Sequence, residues 1–118
     1  MLRLFAILFG IAFIFAGVAG FLPAFTIHGY LFDFFEVDTM HNIVHIVSGV
    51  LAIMASTSFK YTKLYFLIFG IIYLLVAIAG FWRHGDLFVM HVNMADNILH
   101  MSIGVVASYL GLTAIRRT

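Results

Sequence analysis

The 118-residue sequence contains no cysteine. That absence excludes a disulfide framework, a zinc–thiolate centre, an iron–sulfur cluster and covalently attached c-type haem. There is one proline, Pro23, and no Pro- or Ser-rich linker, so residues 1–118 read as a single domain. Charge is equally scarce: 9% of the residues are Asp, Glu, Lys or Arg, and the formal net charge is +1. Soluble domains carry about 25% charged residues. Without a basic footprint, nucleic acid is excluded as a partner. Hydrophobic side chains, 64% of the total, fill the chain instead. A soluble body this small buries only about two-thirds of its chain's surface. The remainder would form a continuous apolar skin, which soluble monomers do not carry. An ordinary soluble enzyme and a disordered chain are therefore excluded, and an integral membrane protein is expected.

Four apolar stretches are present. Leu4 to Leu22 and Leu64 to Trp82 each run 19 residues without a charge. Ile43 to Phe59 and Ile98 to Ile115 contain His45 and His100 as their ionisable residues. A helix rises ~1.5 Å per residue, so 19 residues cover about 28 Å, close to a hydrocarbon core of about 30 Å. Polar first turns lengthen the second and fourth helices, giving spans of about 4–22, 40–59, 63–82 and 95–115. The first stretch exceeds the roughly 7–15 residues of a signal-peptide core and is expected to remain as a span. Arg3, Lys60, Lys63, Arg116 and Arg117 fall on one side of four spans, and Arg83 alone on the other. All five acids, Asp33, Glu36, Asp38, Asp86 and Asp96, lie opposite the main basic group. This asymmetry puts both termini in the cytoplasm of a bacterial inner-membrane protein. Trp82 and Tyr30 are expected at the outer interface, and Tyr61 and Tyr65 at the inner one.

The two halves match each other. Gly10, Gly20 and Phe21 recur as Gly70, Gly80 and Phe81, 60 residues on. His28-Gly29 recurs as His84-Gly85, and Asn42, His45 and Gly49 recur as Asn97, His100 and Gly104. The repeats run about 3–58 and 62–115, each one helical hairpin. Two spans per repeat keep the copies parallel, related by a pseudo-twofold axis along the membrane normal. The series Asn42, His45, Gly49, Ala52, Ser56 and Asn97, His100, Gly104, Ala107, Gly111 each trace one seam. Gly10, Gly49, Gly70 and Gly104 are read as packing glycines that let backbones approach. The expected fold is an all-α transmembrane four-helix bundle with the second and fourth helices near the axis. Asp38 and Asn93 are placed to cap those two helices, with Asp96 near the third helical position.

The polar seam residues Asn42, His45, Asn97 and His100 are the candidate site. His41 lies four residues before His45, and Asp96 four before His100, so each pair shares a helix face. Convergence would bring His41, His45, Asp96 and His100 together beneath the outer surface. Three readings stay open. Asn and His can brace the bundle through interhelical hydrogen bonds, worth about 0.6 kcal/mol on average. Three imidazoles and a carboxylate can hold a divalent metal such as Zn(II), Cu(II) or Fe(II), with Asp96 as a ligand or as an orienting partner. His45 and His100 can ligate a non-covalent b-type haem from two helices at one depth. His28, His84 and His91 belong to the outer loops and are expected to be interfacial or solvated.

No carboxylate, Lys or Arg stands in the middle or inner half of a span, so transport and conduction are not expected. No Ser–His–Asp set, phosphate-binding glycine loop or H-E-x-x-H is present, and no enzymatic reaction is assigned. With its Asn-x-x-His-x-x-x-Gly elements at Asn42–Gly49 and Asn97–Gly104, the chain resembles a family of bacterial membrane proteins, domain of unknown function 4383. The resemblance covers most of the chain and implies a four-span hairpin repeat in the inner membrane. It implies no activity. The first copy departs from the second in carrying His41 where Asp96 stands. The first functional reading is a structural or interaction subunit. Its partners are the lipid bilayer and either a second copy or another membrane protein. The alternative is a metal- or haem-binding protein using the outer histidines.

Overall fold

Residues 1–116 are described by a computed structural model, so Arg117 of the C-terminal basic pair lies outside the described residues. The chain is mostly helical, with four helices: α1 (Leu2–Ala19), α2 (Thr39–Ala55), α3 (Phe59–Trp82) and α4 (Met94–Thr113). Two of them, α1 and α3, are long and apolar enough to cross a membrane. The first long loop adds three two-residue strands, β1 (Thr26–Ile27), β2 (Tyr30–Leu31) and β3 (Phe35–Glu36), in an antiparallel sheet. The all-helical expectation has no strand there. The sheet turns on His28 and Gly29, both at positive φ (52° and 84°), the conformation of a two-residue type I′ hairpin loop.

Side-chain caps set the helix limits. Asp38 opens α2 by accepting from the His41 N–H at 2.8 Å. Asn93 and Asp96 open α4 with a reciprocal capping box. α2 ends at Ala55, short of the end of its apolar stretch at Phe59. Ser56 Oγ and Thr57 Oγ1 there donate to the Ile53 and Met54 carbonyls, and Ser58 caps α3 through the Tyr61 N–H. At the same end, Arg3 Nε donates to the Ser56 carbonyl and Lys63 Nζ to the carbonyls of Gly111 and Ala114. Each basic side chain thus meets the negative end of a neighbouring helix.

The tightest packing lies within the pairs α1–α2 and α3–α4, while α1–α3 and α2–α3 touch more lightly. This differs from the expectation that the second and fourth helices form the centre. Glycine explains the pairing. Gly10 and Gly49 face each other so closely that a Cβ on either would meet the other's carbonyl oxygen, at 2.8 and 2.6 Å. Gly70 lies against the Ser108 backbone and Gly104 against the Leu74 backbone in the second pair. Larger side chains join the pairs. Ala6, Ala52, Tyr65, Phe66 and Ala107 share one cluster, and Phe13 stacks on Tyr73 with ring centroids 5.3 Å apart. Tyr65, expected at the inner interface, is buried in this interior, where its hydroxyl donates to the Ser48 carbonyl at 2.9 Å.

The distribution of polarity is inverted relative to a soluble bundle. His41, Asn42, His45, Ser48, Thr62, Asp96, Asn97 and His100 are buried. Ile11, Phe15, Leu75, Ile78, Tyr109 and Leu112 are more than half exposed. The loops over the entries of α2 and α4 are stitched across the two halves. Asp38 Oδ2 accepts from the His91 N–H at 2.9 Å, and Asn93 Nδ2 donates to the Phe34 carbonyl at 2.9 Å.

Candidate metal centre

The cap at Asp38 fixes the register of α2, which puts His41 and His45 on one inward face a turn apart. The capping box at Asn93 does the same for His100 on α4. The three rings form a triangle, with centroids 4.4 Å (His41–His45), 5.4 Å (His41–His100) and 6.0 Å (His45–His100) apart. One donor nitrogen from each ring lies within 4.8 Å of the other two. Two nitrogens about 2.0–2.1 Å from a tetrahedral zinc stand roughly 3.4 Å apart, so modest ring rotations would close the set on an ion. All three rings are buried.

One hydrogen bond sets the tautomer of His41. His41 Nδ1 lies 3.0 Å from the Glu36 carbonyl, which can only accept. The proton therefore sits on Nδ1, and Nε2 carries the lone pair. A backbone carbonyl holding one ring nitrogen while the other faces an ion is the usual support for a ligating histidine. His41 Nε2, His45 Nδ1 and both nitrogens of His100 are buried with no hydrogen-bond partner among the described residues. Leaving such atoms unpaired costs about 1–3 kcal/mol each. A hydrogen-bonded brace would pair these atoms with neighbouring helices, and none of them has such a partner among the described residues.

The other candidates sit differently. Asp96 is buried, but its carboxylate accepts from the Asn93 N–H at 3.0 Å in the cap of its own helix. It is not in the three-histidine group. Asn42 and Asn97 are buried where the chain leaves α1 and α3. Their Oδ1 atoms occupy the space that a Cβ at Gly20 or Gly80 would fill, and neither Oδ1 has a hydrogen-bond partner among the described residues. His28, His84 and His91 are exposed and outside the group.

The family model for a Domain of unknown function matches residues 3–113. The chain belongs to the DUF4383 family. No curated protein and no solved structure matches it. In this DUF4383 chain, three histidines lie close enough together to bind a metal, two on α2 and one on α4.

Three neighbours of the centre carry little or no signal in the sequence. Tyr73 packs its ring 5.5 Å from that of His100 and donates its hydroxyl to Ser48 Oγ at 3.0 Å. Phe13 lies 5.7 Å from the His45 ring. Tyr73 and Phe13 match at the 60-residue offset, which marks both as seam positions but not as neighbours of histidine. Met90 is buried and lines the same cleft as all three histidines, a space of about 230 Å³. It comes from a loop, where no periodicity announces it.

Proposed function

We propose that this DUF4383 protein is a small four-span protein of the bacterial inner membrane that holds one transition-metal ion through His41, His45 and His100. One observation carries the reading: three buried imidazoles, each with a nitrogen that has no hydrogen-bond partner among the described residues, each bring a donor nitrogen within 4.8 Å of the other two. Three nitrogen donors with room for a further ligand suit Zn(II), Cu(II) or Fe(II). The ring triangle suits an ion better than a haem, because His41 stands where a porphyrin ligated by His45 and His100 would extend.

Membrane location is supported by the inverted polarity and by the lengths of α2 and α4. Their 17 and 20 residues cover about 26 and 30 Å. Exposed Val47, Met54, Val105 and Leu112 give both helices an apolar outer face. Arg3, Lys60, Lys63 and Arg116 would mark the cytoplasmic side, together with both termini, and the metal would lie toward the outer side. The like contacts of Gly10–Ile53 and Gly70–Ser108, of Gly49–Ile14 and Gly104–Leu74, and of Arg3 and Lys63 with helix ends, support a parallel hairpin repeat. The outward apolar faces meet lipid, a second copy or another membrane protein, so the role is that of a metal-holding membrane subunit.

Cobalt tests the reading optically. The metal-free protein in detergent should take up one equivalent of Co(II) and show the intense ligand-field bands of a four- or five-coordinate nitrogen site. The triple change His41→Leu, His45→Leu and His100→Leu should remove them. A folded wild-type chain that leaves Co(II) with its aqueous spectrum contradicts the proposal.

A further inference from the structure

The three histidines leave a fourth position, and the surrounding side chains limit what can fill it. This step rests on the metal reading above. Most of the cleft wall is aliphatic or aromatic and cannot ligate. The Tyr73 hydroxyl and Ser48 Oγ are hydrogen-bonded to each other, and Asp96, held in its helix cap, does not line the cleft. Met90 remains. It is 9% exposed and lines the cleft beside His41, His45 and His100.

Its position is tied to the site by hydrogen bonds. The Asp38 carboxylate accepts from the His41 N–H with one oxygen and from the His91 N–H with the other. One side chain therefore fixes the first turn of α2 and the residue next to Met90. The Met90 carbonyl accepts from the Leu87 N–H at 3.0 Å, and the Asp86–His91 bridge closes the loop around it. Met90 thus lines the cleft from a pinned loop.

We propose that the Met90 sulfur is the fourth donor and that the centre takes copper as Cu(I) in preference to Zn(II). The reason is donor softness. A thioether is a soft ligand that binds Cu(I) well, whereas zinc in proteins is held by thiolate, imidazole and carboxylate. Three imidazoles and one thioether make a neutral four-donor set, which suits a monovalent ion in an apolar setting better than a divalent one.

The absence of cysteine makes the test clean, because any sulfur bound to copper must come from a methionine. X-ray absorption at the copper edge of the Cu(I)-loaded protein should show a sulfur shell beside the nitrogen shell. Met90→Leu, a volume-conserving change, should remove that shell. It should weaken Cu(I) binding by at least about 10-fold in competition with a chromogenic chelator, on the scale of lost ligand support. Zn(II) affinity should stay within about twofold, because zinc gains little from a thioether. If Met90→Leu fails to fold, selenomethionine-labelled wild-type protein gives the same information, with a selenium shell expected at copper. A nitrogen-only shell, or a Met90→Leu protein with unchanged Cu(I) affinity, overturns the Met90 assignment while leaving the histidine site intact. A wild-type protein that binds neither Cu(I) nor Zn(II) overturns both.

Discussion

His100→Leu is expected to abolish tight Zn(II) binding and leave the metal-free protein at least as stable as the wild type. Leucine fills a similar volume and removes two buried ring nitrogens that have no hydrogen-bond partner. Each such atom costs about 1–3 kcal/mol when buried unpaired, which offsets the packing lost in exchanging an aromatic ring for an aliphatic side chain. The loss of one of three ligands should lower Zn(II) affinity by at least about 100-fold, since removing only a ligand's support costs 10–100-fold. Thermal unfolding in detergent separates the two effects. At about 100 times the wild-type Kd, Zn(II) should stabilise the wild type by about 2.7 kcal/mol and the variant by no more than about 0.4 kcal/mol. If His100 braced the helices instead, His100→Leu would lower the unfolding temperature without metal, and zinc would shift neither protein.

Gly49→Ala should destabilise the protein by about 3 kcal/mol or prevent its accumulation in the membrane, the upper end of the usual cost of overpacking. Helix propensity alone predicts the opposite sign, because alanine exceeds glycine by about 1 kcal/mol within a helix. Packing wins because a Cβ at Gly49 would meet the Gly10 carbonyl oxygen at 2.6 Å and the Ile14 nitrogen at 2.9 Å. Both are backbone atoms and cannot rotate aside. α1 and α2 would have to separate one turn below His45, so residual folded protein should also bind metal more weakly. Equilibrium unfolding of the two proteins in the same detergent measures the difference. A neutral or stabilising Gly49→Ala contradicts the close approach of α1 and α2.

Much of the helical frame is legible in the sequence because a single physical signal governs it. The seams through Asn42, His45, Gly49 and Ala52, and through Asn97, His100, Gly104 and Ala107, are buried as their spacing implies. The caps at Asp38 and Asn93 follow from short polar side chains placed just before apolar runs. The seams do not say which helix each one faces. Small residues permit close approach to any neighbour, and only the structure pairs Gly10 with Gly49 and Gly70 with Ser108. The loop sheet has a local signature in His28-Gly29, a turn pair between Thr26-Ile27 and Tyr30-Leu31, which is easily taken for a repeat match alone.

The candidate site divides along similar lines. His41 and His45 share a face through helical geometry, and the repeat aligns His45 with His100. Asp96 stands at the repeat position of His41, which invites it into the same cluster. A carboxylate at the third helical position has a nearer partner in the N–H of its own cap, and that local bond fixes it. Tyr65 reads as an interfacial residue by type, yet its hydroxyl finds a buried carbonyl at Ser48. Met90 lines the cleft from a loop that Asp38 ties to the start of α2, a long-range contact that no local pattern encodes.

Metal content is the most direct test of the three-histidine centre. The wild-type chain, and the chain with His41→Leu, His45→Leu and His100→Leu, should be purified side by side from copper- and zinc-replete membranes, gel-filtered and assayed for metal per chain. One ion per wild-type chain and none in the triple variant is the expected result. Equal metal content in the two folded proteins, whether zero or one, contradicts a metal held by His41, His45 and His100.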